Sequence, residues 1–272
     1  MSEWPASPDD RHRIQSIERC FAVLLAFDAD LPRPTSTELA TATGLSRPTV
    51  RRILITLQHM GYVASVGNRW RLTPRVLSIG QHFTATHSIV EVAQPHLKRL
   101  ADQTGESASL AVLDGTDVVY VARVPVRRIM SIDISPGSRV PAAATSMGRV
   151  LLAWADEAVI DRVLGAGLPA LTSRTVTDRK TMRGLLREVQ SQGWSVVAGE
   201  LDPELISISV PLRNHTGDVV AAVASATTVS RATPEQLVTN VLPHLQAAAT
   251  RLGTELGQPR GAQQADHRDG FF

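Results

Sequence analysis

The chain has 272 residues, 43% of them hydrophobic and 20% charged, a length that fits two domains of ordinary size and a composition that excludes bulk disorder. No run approaches 18 uninterrupted apolar residues, and the opening MSEWPASPDDRHR has no apolar core, so neither a membrane-spanning helix nor a signal peptide is predicted and a cytoplasmic location is the expectation. The net charge of +2 conceals an asymmetry: residues 11–75 carry 10 Arg against 4 acids, whereas residues 76–272 carry 18 basic against 19 acidic side chains. A basic excess confined to one segment of domain size points to a polyanion, and nucleic acid is the commonest of these.

In chain order, residues 1–10 read as a loose tail. Residues 13–27 read as a helix with Ile14, Ile17, Phe21, Leu24 and Leu25 in one apolar stripe and Cys20 as a buried, inert thiol. Cys20 is the single cysteine, which excludes an internal disulfide and a multi-cysteine zinc cluster. After the break at 30–34, Thr35-Ser36-Thr37-Glu38 has the form of a capping box and opens a short helix that closes at Gly44. Ser46 then caps a helix with Arg47-Pro48 in its first turn, running to about Met60. Residues 62–72 read as a hairpin turning at Gly67-Asn68, and Thr73-Pro74 opens a helix over 74–87.

Beyond residue 88 helix and strand signals mix. A helix spans 89–103, with a kink expected at Pro95. Ser107–Leu113 and Val118–Val124 form a hairpin around Asp114-Gly115, and Arg128–Ile134 reads as a third strand. Helices are predicted at 145–164 and 178–192, strands at 194–198, 206–212 and 218–226, and a last helix from Thr233-Pro234 to about Leu256. Residues 257–272 read as a disordered tail. The plan is α+β with two domains, 11–73 and 89–256, joined by a linker helix over 74–88.

Helix, short helix, Gly turn, helix and hairpin is the order of a winged helix-turn-helix, whose second motif helix fits the major groove of DNA. In residues 46–60, Val50, Ile53, Leu54 and Leu57 share one face and would pack inward. Thr37, Ser46, Arg47, Thr49, Arg51 and Arg52 are the candidate DNA contacts, with Arg69 and Arg71 flanking the hairpin tip. The competing reading is that these arginines only solvate a helical surface.

A second candidate site is Thr145-Ser146-Met147-Gly148. Thr145 or Ser146 can cap a helix there, the amides of Ser146, Met147 and Gly148 would face an anion, and Ala142–Ala144 leave room. The alternatives are an ordinary N-cap and a hydrolase nucleophile, but Ala-Thr-Ser-Met-Gly lacks the first Gly of a G-x-S-x-G elbow. Neither HExxH nor GxxxxGK[ST] occurs, and His82 and His87 are five apart, wrong for one helical face. No metal, no cofactor and no enzymatic activity are predicted.

The stretch ELATATGLSRPTVRRILITLQHMGYV followed by RWRLTPRVLSIG resembles the N-terminal domain of IclR-type regulators. TGESASLAVLDGTDVVYVARVPVRRIMSI, SRVPAAATSMGRVLLA and TVTD resemble the branch of that family controlling β-ketoadipate-pathway genes. The resemblance covers residues 12–255. It implies a winged helix, a linker helix and an effector domain similar to GAF and profilin folds, with an antiparallel sheet. It also implies homodimers or dimers of dimers on a palindromic double-stranded operator, and aromatic acids or their breakdown products as effectors. Matched onto this chain, the effector contacts are Thr145, Ser146, Met147, Gly148, Glu200, Leu205, Ser207 and Ala224, with Ser225 beside it; Met130 would add an apolar wall. The chain departs where relatives tend to carry Gly-Leu-Arg-Ser and it has Glu204-Leu205-Ile206-Ser207, a change expected to fall near the effector pocket, and in the less polar Ala222–Thr227. A regulator of an unrelated pathway, with another effector or none, is the alternative within the family.

Overall fold

The computed structural model describes residues 14–28, 31–79, 89–126 and 134–256, and the chain divides into two compact units, residues 1–86 and 87–272. The first unit contains α1 (Gln15–Leu25), α2 (Ser36–Thr43), α3 (Arg47–His59), β1 (Val63–Val66) and β2 (Arg69–Leu72). Thr35 closes both halves of the predicted capping box: its Oγ1 accepts from the Glu38 amide at 3.2 Å, and Glu38 Oε2 accepts from the Thr35 amide at 2.6 Å. The Thr35 amide first, and its hydroxyl second, hold the Glu38 carboxyl below its usual range by hydrogen bonding to it. Gly44 ends α2 at φ 69°, a left-handed position that suits glycine, and Ser46 starts α3.

Val23, Leu39, Val50, Leu54, Leu57, Val63 and Trp70 form the core of this unit. Trp70 fastens the hairpin to α2 from both ends: its amide donates to Pro34 O at 2.8 Å and its indole Nε1 to Ser36 Oγ at 3.2 Å. The orientation of α1 corrects the sequence expectation. Val23 is buried, with Cys20 and Leu24 half-buried beside it, while Ile14, Ile17, Phe21 and Leu25 are exposed, Leu25 by 70%. The helix is apolar on two faces, and periodicity alone does not say which one meets the core. Burial raises the Cys20 thiol above its ordinary pKa. Thr73 caps a 3-10 turn, Pro74–Val76, and residues 77–79 are helical as expected; residues 80–88 of the predicted linker helix lie outside the described residues.

The second unit runs α4 (Ile89–Thr104), β3 (Ser107–Asp114), β4 (Asp117–Val124), β5 (Arg139–Pro141), α5 (Ser146–Ala153), α6 (Glu157–Gly165), α7 (Arg179–Gln192), β6 (Ser195–Ala198), β7 (Leu205–Arg213), β8 (Val219–Thr228), α8 (Pro234–Asn240) and α9 (Leu242–Leu256). The strands form one antiparallel sheet in the order β5-β4-β3-β8-β7-β6. Pairing β3 with β8 brings the first hairpin against the last. Strand side chains alternate between faces. Ala108, Leu110, Ile206, Ile208, Val210 and Val223 pack under α4 and α9, whereas Ala111, Ala222 and Ala224 pack under α5 and α7.

Several boundaries differ from the predicted ones. Helix 145–164 is two helices, broken at Trp154–Asp156, and the last helix breaks at Val241. β5 was not predicted; the strand expected at Arg128–Ile134 lies outside the described residues except for Ile134, which is not in a strand. α4 continues through Pro95. Both edge strands are short. β6 pairs only from Ser195↔Ser209 to Ala198↔Ile206, so beyond Ser209 β7 itself is the edge, and Pro211 lies in that stretch.

Alternation also moves one predicted site residue. Ser225 sits in register between Ala108 and Ile208, on the α4–α9 face, opposite to Ala224. It is 1% exposed, and its Oγ has no hydrogen-bond partner. A buried hydroxyl with no partner costs more than the methyl that would replace it. Ser225→Ala is therefore expected to leave the fold intact and raise stability by up to ~1 kcal/mol in urea unfolding; a clear loss would mean that the hydroxyl has a partner after all.

Candidate DNA interface and effector site

α3 presents two faces set by its sequence. Val50, Leu54 and Leu57 are buried, and Arg47, Arg51, Arg52, Ile55 and Thr56 are exposed. Arg47, Arg51 and Arg52 make no hydrogen bond or ion pair among the described residues, so their guanidinium groups are available to an outside partner. Ser46 and Thr49 serve the helix itself: their hydroxyls lie 2.8 Å apart, and Ser46 Oγ accepts from the Thr49 amide at 3.4 Å. Thr37 is exposed in the first turn of α2. The two wing arginines separate. Arg71 is exposed and unpaired among the described residues. Arg69 donates from Nη1 to Arg33 O at 2.8 Å, lies 3.7 Å from Glu38 Oε2, and bridges to Thr35 through its backbone. Arg69 thus ties the wing to the start of α2.

The second site gathers at the start of α5. Thr145 is the N-cap, its Oγ1 accepting from the Gly148 amide at 2.9 Å. That bond engages one of the three amides expected to face an anion, leaving those of Ser146 and Met147 in the first turn. Gly148 is required for a different reason than predicted: a Cβ there would lie 1.9 Å from Ala142 O. α5 starts so close to the Ala142–Ala144 turn that only glycine fits. Ser146 Oγ meets Ser207 Oγ at 2.8 Å, joining the helix start to β7. Ala224 lies on the same face, in register with Ser209 on one side and Ser109 on the other. Leu205 is half-buried at the start of β7. Met130 lies outside the described residues.

Glu200 is engaged within the protein. Arg149 Nη2 donates to both its oxygens, at 2.7 and 2.6 Å, and the Val176 amide donates to Oε2 at 3.0 Å. Arg149 Nε also donates to Ala143 O at 3.0 Å. Thr172 and Thr175 clasp the same loop through the carbonyls of Gly199 and Glu200, at 2.6 and 2.7 Å. One buried network therefore joins α5, the turn before it, the β6–β7 loop and residues 172–176. Sequence reasoning missed Arg149, Ser109 and Ser209; strand alternation around Ala111 and Ser207 was the signal for the two serines. Ile206, expected near the pocket, points to the opposite face, under α4 and α9. Two open clefts, of about 740 and 450 Å³, border α9 and the Ala142 turn. Ser146 and Ser207 line neither, so it is the convergence of polar groups that marks the site.

An arginine-faced helix on a winged unit, carried in one chain with an α/β unit that holds a buried polar cradle, defines a two-part DNA-binding regulator. Family models agree: residues 16–67 match the IclR helix-turn-helix domain, and residues 81–254 match the bacterial transcriptional regulator IclR C-terminal domain. The chain belongs to the IclR family of bacterial transcriptional regulators. It is 40% identical to the Pca regulon regulatory protein of Pseudomonas putida, over 89% of this chain and 84% of that protein. It is 35% identical to the p-hydroxybenzoate hydroxylase transcriptional activator of Acinetobacter baylyi, over 88% and 90%. An IclR homolog from Microbacterium hydrocarbonoxydans, crystallised in complex with 4-hydroxybenzoate, superposes with a TM-score of 0.78 at 26% identity, covering 89% of this chain and 98% of that one. Among the described residues, no helix is long and apolar enough to cross a membrane.

Proposed function

We infer that the chain regulates genes of aromatic-acid catabolism, binding a palindromic operator through α3 and the wing and sensing a small carboxylate at the start of α5. The observation that carries the effector reading is the Ser146–Ser207 hydroxyl pair beside the first-turn amides of α5, in a fold shared with a homolog that holds 4-hydroxybenzoate. Residues 11–73 serve as the DNA-binding domain, 74–88 as the linker and 89–256 as the sensing domain, in the cytoplasm. The exposed row Ile14, Ile17, Phe21 and Leu25 on α1 supports assembly of two chains or a dimer of dimers, because an apolar stripe of that length is costly to leave in water. Regulation is favoured over hydrolysis because Ser146 Oγ is bonded to another hydroxyl rather than to a histidine base. The effector acts by binding one arrangement of the assembled chains more tightly than the other.

The test is a titration of the DNA beside the chain's own gene at two salt concentrations, with and without 4-hydroxybenzoate, protocatechuate and β-ketoadipate. Binding that weakens steeply with salt, at two chains per site, and that one acid alters is the expected result. Specific binding that none of the acids changes would keep the regulator and overturn the effector class. Absence of specific binding at low salt would overturn the DNA assignment.

A further inference from the structure

Arg149 is a buried cation whose hydrogen-bonding capacity is not exhausted by Glu200. Its side chain is 5% exposed. Nε is bonded to Ala143 O and Nη2 to both carboxylate oxygens, but Nη1 has no partner among the described residues. A guanidinium offers five N–H donors, and Nη1, unbonded but not fully buried, stays open to a ligand. A carboxylate oxygen is its strongest acceptor. Arg149 follows Ser146 by one helical turn and shares its face of α5. Their partners, Glu200 and Ser207, lie in the β6–β7 loop and on β7. The cation, the hydroxyl pair and the first-turn amides therefore border one region.

Resting on the effector reading above, we propose that Arg149 selects the charge of the effector: its Nη1 edge takes a carboxylate oxygen of a monocarboxylic acid while Nη2 stays on Glu200. Glu200 is then a positioning residue, the internal counter-charge that aims the guanidinium, itself held by the Val176 amide. The attraction is local to the Nη1 edge, and a second carboxylate near Glu200 would be repelled.

The experiment is calorimetric titration of the full chain with 4-hydroxybenzoate and with its uncharged counterpart, 4-hydroxybenzamide. Wild type is expected to prefer the acid by about 10- to 100-fold. The double variant Arg149→Met/Glu200→Gln removes both charges together, so that neither is stranded. It should lose the preference, the acid's Kd rising by more than the amide's. Glu200→Gln alone frees the guanidinium from its internal partner and should raise the preference above wild type. A double variant that still prefers the acid, or that loses acid and amide in parallel, overturns the proposal, the second outcome marking a purely structural role. If the double variant does not fold, Glu200→Gln decides: an unchanged or lowered preference overturns it. Wild type that binds neither probe overturns the effector reading itself, and this inference with it.

Discussion

Gly148→Ala is expected to destabilise the C-terminal unit by about 3 kcal/mol or more, and to abolish effector binding with it. In most helices this substitution stabilises, by up to about 1 kcal/mol, because alanine is the better helix former. Here geometry reverses the sign. The added Cβ would stand 1.9 Å from Ala142 O and 2.4 Å from both Ala142 C and Cα. These are backbone atoms of a fully buried turn, so no side-chain rotation relieves the contact. Either the turn or α5 must move, and α5 carries both the Thr145 cap and Arg149. Urea unfolding followed through the C-terminal unit reads the effect; a midpoint equal to or above wild type would show that α5 does not approach the turn as described.

The second large effect is on DNA. Arg51→Ala/Arg52→Ala is expected to weaken operator binding by about 100-fold or more, each guanidinium contributing roughly 1–3 kcal/mol if it reads a base. Neither side chain is bonded within the protein among the described residues, so the melting temperature should not change. The salt dependence then separates the two roles: contacts to phosphate lower its slope by about one per arginine, contacts to bases relax sequence preference instead. Arg69→Ala is the useful contrast, since it breaks the tie to Arg33 O and should loosen the wing as well as the complex. Operator affinity unchanged in the double variant would remove α3 as the reading helix.

The parts of the fold that were legible in the sequence are those written in local chemistry. The Thr35–Glu38 box, the Ser46 cap, Gly44 and the hairpin glycines each act within a few residues, and all stand where expected. What escaped is set by distant partners. The inward face of α1 depends on which side α2 and α3 occupy. β5 has three residues, too few to show a period, and exists because Val118 pairs with Val140. The break after α5 is hidden in an uninterrupted helical pattern. At the proposed effector site the chain positions 145–148 were legible as a helix start, but Arg149 and Glu200 are 51 residues apart, and nothing local announces their pairing. Ser225 is a different case: two adjacent strand residues cannot face one pocket, and that rule alone separates it from Ala224.

The short edge strands of the large sheet bear on how the protein behaves when concentrated. A long unpaired strand is a template onto which another copy can add, and from there onto which aggregates grow. Here one border offers three residues ending at Pro141. The other offers four, and where they run out the exposed stretch of β7 carries Pro211, which has no N–H to donate. Strand addition from copy to copy is thereby disfavoured along the exposed stretch of β7. Contacts between copies, where the proposed assembly forms, are then left to helical surfaces.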